Sequence, residues 1–213
     1  MAGGLAAALV STYVVGAVRL TQAGAPAFES WVGARTHPMR VALGGHQAAR
    51  IEAGELWRLA TGVFVHVDLL HLFLNATAVA VLGGHYAVRV GASRMATVFA
   101  VGGLAGALLS HALGTPRSDG ASGAAFALAG ALLAERTTRG EAWNDDDRWT
   151  FGPALAGVVA LNFLIGALIP GIDGWAHLGG FIAGAALGRW PPEERSRAAI
   201  VIAWIGLLGF PAT

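Results

Sequence analysis

Gly120-Ala121-Ser122-Gly123-Ala124 opens an apolar run that continues to Ala134, and its length decides the fold. From Ser122 to Ala134 the run is about 13 residues, ~20 Å of helix, while the hydrocarbon core of a bilayer is ~30 Å thick. Such a helix cannot span alone. The irregular backbone before it then lies at membrane depth, which is tolerated only beside protein or a water-filled cavity. The Ser122 hydroxyl is accordingly expected to be recessed in such a cavity.

The rest of the composition agrees with a membrane setting. The 213 residues are 55% hydrophobic and 13% charged, with a mean hydropathy of +0.59. Soluble domains carry about 25% charged residues. The 31 glycines sit among Leu, Val and Ile, as close helix packing in lipid requires, not in a polar linker. Absence of cysteine excludes disulfides, thiolate metal sites and cysteine nucleophiles. A net charge of +1, with every basic residue an arginine, offers no field for nucleic acid.

Seven apolar segments are expected, near 3–19, 65–86, 94–113, 122–135, 150–169, 174–190 and 197–211. One connection, 20–62, is long; the short ones favour an antiparallel bundle. The first segment is not expected to be a cleaved leader: no basic stretch precedes it, Arg19 ends it, and Pro26 would follow the cut. Arg89, Arg94, Arg136, Arg139, Arg148, Arg189, Arg195 and Arg197 fall after segments two, four and six, and only Arg117 after three and five. The positive-inside rule then puts the N-terminus in the cytoplasm and the C-terminus outside. Arg35, Arg40, Arg50 and Arg58 in the long outer loop are a counter-signal. The Asp145-Asp146-Asp147 run reads as a solvated loop, because nothing nearby supplies the other ligands of a cation site.

Polar groups inside a bilayer are expensive, so each calls for a partner. Ala176-His177-Leu178-Gly179-Gly180 opens the sixth segment, and Gly180, Gly184 and Gly188 follow at four-residue steps. That bare stripe allows docking on the small residues Ala125, Ala129 and Gly130 of segment four, carrying the His177 imidazole towards Ser122. A hydroxyl beside an imidazole is the arrangement of a nucleophile and its base. Gly120 and Gly123 allow a tight turn around the serine. On segment two, His71 and Asn75 are four residues apart and share a face, so both could donate to an oxyanion. His66 and His71 as metal ligands are disfavoured, because five residues rotate them apart on a helix and no carboxylate accompanies them. Trp57-Arg58 suits the water–lipid boundary. His37, His46, His85 and His111 carry no assignment.

The order Trp57-Arg58, His66, His71, Asn75, Gly120-x-Ser122-Gly123, then His177 with Gly180 and Gly184, resembles the rhomboid family of intramembrane serine proteases. The resemblance implies an all-α polytopic membrane protein. A six-helix core over 1–190 would hold the long external loop, and 191–213 would add a linker and a seventh helix, a six-plus-one arrangement. It implies Ser122 as nucleophile and His177 as general base, a dyad without an acidic third member. His71, Asn75 and the Ser122 backbone N–H would line the oxyanion hole, and Gly180 and Gly184 would be close-packing glycines. Substrates would be membrane proteins with a single transmembrane helix, with no metal or organic cofactor and no nucleic acid. The expected location is a prokaryotic cell membrane. Two rivals stand beside this reading: a non-catalytic relative that binds and routes transmembrane clients, and a small-solute transporter. The transporter would more often place acids inside its spans.

Overall fold

The computed structural model describes residues 2–139, 144–169 and 171–189, and among these the chain is all-helical, without a strand. Six helical runs carry the architecture: α1 (Ala2–Gln22), α2 (Leu69–Val90), α3 (Ala92–Ala112), α4 (Ser122–Arg139), α5 (Asp145–Leu168) and α6 (Gly174–Arg189). Of these, α1, α2, α3 and α5 are long and apolar enough to cross a membrane. The expected linker and seventh helix, 191–213, lie outside the described residues.

Helix α4 is the centre of the bundle. Ala124, Ala127, Leu128, Ala131 and Leu132 are fully buried on one face and Ala125 and Ala129 are buried beside it, so most of the helix surface is enclosed, which a nearly all-round apolar sequence permits. It begins at Ser122, but it extends past the expected apolar run by a polar turn. The threonines of that turn bond back to the helix and its carboxylate meets an arginine. The Thr137 and Thr138 hydroxyls donate to the Ala134 carbonyl at 2.7 and 3.2 Å, and the buried Glu135 carboxylate lies 3.6 Å from Arg89.

The glycine stripe of α6 lies on α4 in register. A Cβ at Gly180, Gly184 or Gly188 would run into the backbone of Gly123, Ala127 or Ala131 respectively. Both helices advance by four residues, so backbone touches backbone along one seam. The seam differs from the expected one: Gly130 faces α6, at Phe181 and Ala185, but the alanines against the stripe are Ala127 and Ala131 rather than Ala125 and Ala129. Closest approach follows the row that starts at Gly123, which fixes how α6 is rotated. Glycines of α3 serve the same end, with Gly103 beside Ala124 and Gly106 against the Ala176 carbonyl.

Helix α5 is the outlier. Its regular part, Leu155–Leu168, buries only Leu155 and Val159, and Val158, Leu161, Leu164 and Leu168 are exposed. A break precedes it at Phe151 and Gly152, where Gly152 adopts φ −115°, ψ −105° ahead of Pro153. Proline removes one helical donor and crowds the preceding turn, so the break has a local cause. The acidic run is not a loop. Asp145–Trp149 is a helical turn, with the Asn144 side chain accepting the Asp147 N–H at 2.8 Å and the carboxylates at its N-terminus, where the helix dipole favours them.

The long connection between α1 and α2 is folded. It holds four short helices, Ala27–Trp31, His37–Ala42, Ala48–Glu52 and Arg58–Thr61, and a 3-10 turn at Gly62–Phe64. Arg58, expected at a lipid boundary, is instead buried at 4% exposure and clamps this loop from within. Its Nη1 donates to the Val41 and Gly45 carbonyls, each at 2.9 Å, and its Nε to Glu55 at 2.6 Å. That bond holds the Glu55 carboxyl below its ordinary pKa. Trp57 lies beneath the guanidinium, 4.4 Å from ring centroid to the charge.

Candidate active site

Ser122 is the first residue of α4, and His177 lies in the first turn of α6. The seam of small residues brings them together: His177 Nε2 is 2.9 Å from Ser122 Oγ. For Nε2 to accept the hydroxyl proton, the ring carries its own proton on Nδ1. Nδ1 has no hydrogen-bond partner among the described residues, so no carboxylate orients the imidazole. Its plane is set instead by Phe126, one helical turn beyond Ser122, which stacks on the ring at 4.3 Å and 10°. Phe163 of α5 packs against Phe126 in turn, ring centroids 5.3 Å apart.

Asp173, the residue before α6, was not singled out in the sequence. Its Oδ1 accepts the Ala176 N–H at 3.0 Å, and the fully buried Ser110 hydroxyl of α3 donates to its other oxygen. A carboxylate there caps the helix N-terminus, and the bond to Ser110 ties the turn carrying His177 to α3. An aspartate directly before an apolar helical run was the available signal.

The backbone entering α4 is held from three sides. His66 Nδ1 is 3.2 Å from the Phe64 carbonyl and therefore carries the proton, which leaves Nε2 to accept the Ala121 N–H at 3.4 Å. The Gly120 N–H donates to the Gly62 carbonyl at 2.9 Å. Asp119 accepts the His46 N–H at 2.8 Å through Oδ1 and meets Arg40 Nε at 2.8 Å through Oδ2. The sequence reading counted Arg40 only as a loop charge and did not name Asp119, because their pairing joins positions far apart in the chain.

Gly120 faces the α2 residues. Its φ is +118°, a left-handed conformation that favours glycine. A Cβ there would lie 2.6 Å from His71 Cε1 and 3.3 Å from Asn75 Nδ2. Both side chains are thus brought against the turn that carries Ser122. The Asn75 amide nitrogen is buried with no partner among the described residues. It lies near the start of α4, where the first backbone N–H groups have no intrahelical acceptor.

The placement of His66 corrects one expectation. It is not on the helix with His71, because Asp68 caps α2, its carboxylate accepting the His71 N–H at 2.7 Å, so the helix starts only at Leu69. His66 therefore folds back, and the two rings touch edge to face at 5.2 Å rather than pointing apart. Even so, no group of three potential metal ligands assembles among the described residues.

An all-helical bundle with a serine and a histidine joined at the heads of two glycine-packed helices defines a class, and the chain belongs to the rhomboid family: residues 53–190 match the Rhomboid domain model. Among similar curated proteins, RHOMBOID-like protein 5 of Arabidopsis thaliana is 35% identical over 149 residues, 68% of this chain and 47% of the relative. Rhomboid protease GluP of Bacillus subtilis is 31% identical over 152 residues, 70% of this chain and 29% of the relative. Inactive RHOMBOID-like protein 8 of Arabidopsis thaliana is 33% identical over 136 residues. The chain covers less than half the length of these relatives.

Proposed function

We propose that the protein is an intramembrane serine endopeptidase that hydrolyses peptide bonds in or near transmembrane helices of single-pass membrane proteins. The observation that carries this reading is the 2.9 Å contact between His177 Nε2 and Ser122 Oγ. His177 takes the hydroxyl proton as Ser122 Oγ attacks the scissile carbonyl carbon. The oxyanion of the tetrahedral intermediate accepts hydrogen bonds from Asn75, His71 and the Ser122 N–H. His177 then passes the proton to the leaving amine, and water activated by the same imidazole hydrolyses the acyl-enzyme. None of these steps calls for a metal or an organic cofactor.

The similarity to a named rhomboid protease supports catalysis, and the similarity to a named inactive relative keeps a second reading in view: a protein that binds or routes transmembrane clients without cutting them. Such a role has no use for a preserved hydroxyl–imidazole contact. The arginine distribution supports a multi-pass protein with a cytoplasmic N-terminus and its site opening to the other face.

The test is cleavage of a model single-span substrate in liposomes, together with covalent labelling by a fluorophosphonate. The native protein is expected to cut the substrate and gain one adduct on Ser122. Ser122→Ala is expected to lose both while keeping its thermal unfolding midpoint, and EDTA is expected to leave cleavage unchanged. Full cleavage by Ser122→Ala would overturn the dyad.

A further inference from the structure

A second concave site lies away from Ser122, between the outer half of α1 and the folded loop that follows it. The cavity is about 390 Å³, within the size range of small-ligand sites. Two guanidinium groups line it, Arg19 and Arg35, and no acidic residue does.

Arg35 is 2% exposed. Its Nε and Nη2 donate to the Ser30 carbonyl at 3.1 and 2.8 Å, Nη2 also donates to the Tyr13 carbonyl at 3.0 Å, and its charge lies 3.6 Å over the Tyr13 ring. All of these partners are neutral, and Arg35 is in no ion pair among the described residues. Its remaining donor, Nη1, makes no hydrogen bond and sits by the cavity wall at Gly16, 3.6 Å from where a Cβ there would lie. A buried cation without a counter-ion is costly unless an anion joins it. Arg19, at the exposed end of α1, brings a second charge with no side-chain partner among the described residues. Trp57, Leu43 and the exposed Val15 also line the wall, and Val14 and Val18 extend the exposed apolar surface of α1 next to Val15 and Arg19.

We propose that this cavity binds the phosphate of an anionic glycerophospholipid, its headgroup oxygens bridging Arg19 and Arg35 and an acyl chain lying along the valines of α1. Guanidinium forks match phosphate oxygens in geometry as well as charge. The apolar border favours a lipid over a free phosphate ion.

The experiment is native mass spectrometry of the delipidated full chain in detergent, titrated with phosphatidylglycerol, phosphatidylcholine or inorganic phosphate. The native protein and the control Arg117→Gln are expected to retain one phosphatidylglycerol. Arg19→Gln, altered at an exposed side chain, is expected to bind it about tenfold more weakly, as for loss of one charge-assisted contact. Arg35→Gln is expected to lose it as well, with its folding checked by thermal unfolding. Equal retention by Arg19→Gln would overturn the site. Equal retention of phosphatidylcholine would overturn its selectivity for negative charge, and displacement of the lipid by equimolar inorganic phosphate would overturn the lipid assignment. None of these readouts depends on proteolysis.

Discussion

Asn75 keeps a buried amide donor unpaired, and leaving such a donor unsatisfied costs about 1–3 kcal/mol. On the proposed mechanism the donor gains a transient partner, the oxyanion formed beside Gly120. Asn75→Ala is therefore expected to reduce kcat about 10²–10³-fold with KM little changed and the unfolding midpoint unchanged or raised. A falling midpoint with unchanged kcat would mark Asn75 as structural. Steady-state kinetics and a thermal melt on the same preparation decide it. At this scale the sequence was informative where chemistry is carried by residue type: a serine and a histidine in lipid-like company leave few readings. It was silent on Phe126, whose stack on His177 depends on how α4 and α6 are rotated about each other. That rotation follows from the row Gly123, Ala127, Ala131, and an all-small face does not announce which of its rows will touch.

The elements are held by backbone contact more than by side-chain interlock. Where a Cβ on Gly184 would enter the Ala127 backbone, Gly157 on α5 has nothing within reach. Gly184→Ala is expected to destabilise the protein by about 1–3 kcal/mol, as overpacking does, and to weaken cleavage as α6 moves His177 off Ser122. Gly157→Ala is expected to be neutral or stabilising by up to about 1 kcal/mol. Unfolding monitored in detergent separates the two; equal effects would contradict a close-packed seam. The stripe itself was readable at element scale because its period matches the helix. Helix ends were less so: α2 starts at Leu69 rather than 65 because Asp68 caps it, and hydropathy does not register a cap. The four short helices of the outer loop were invisible for a related reason, since each is too short to show a period and is held by contacts such as Arg58 to Val41 and Gly45.

Orientation is a property of the whole molecule, and the folded loop largely buries three of its four arginines while Arg50 stays exposed beside Glu55. Arg40 is paired with Asp119 and Arg58 with Glu55, and both are largely buried, as is Arg35. On the orientation proposed above, the arginines of the short connections outweigh those of this long folded loop. The absence of cysteine makes this testable without background, because each introduced thiol reports alone. Gln22→Cys places a thiol at the exposed end of α1, and Asp146→Cys places one at the exposed start of α5. In intact cells a membrane-impermeant maleimide is expected to label the Gln22→Cys protein at once and the Asp146→Cys protein only after permeabilisation. The reverse pattern would invert the molecule and open the Ser122 site to the cytoplasm. Equal labelling before permeabilisation would contradict a membrane-spanning bundle altogether, since Gln22 ends α1 whereas Asp147, beside Asp146, lies 3.8 Å from His85 at the end of α2 where α1 begins, with Ala2 against Gly83.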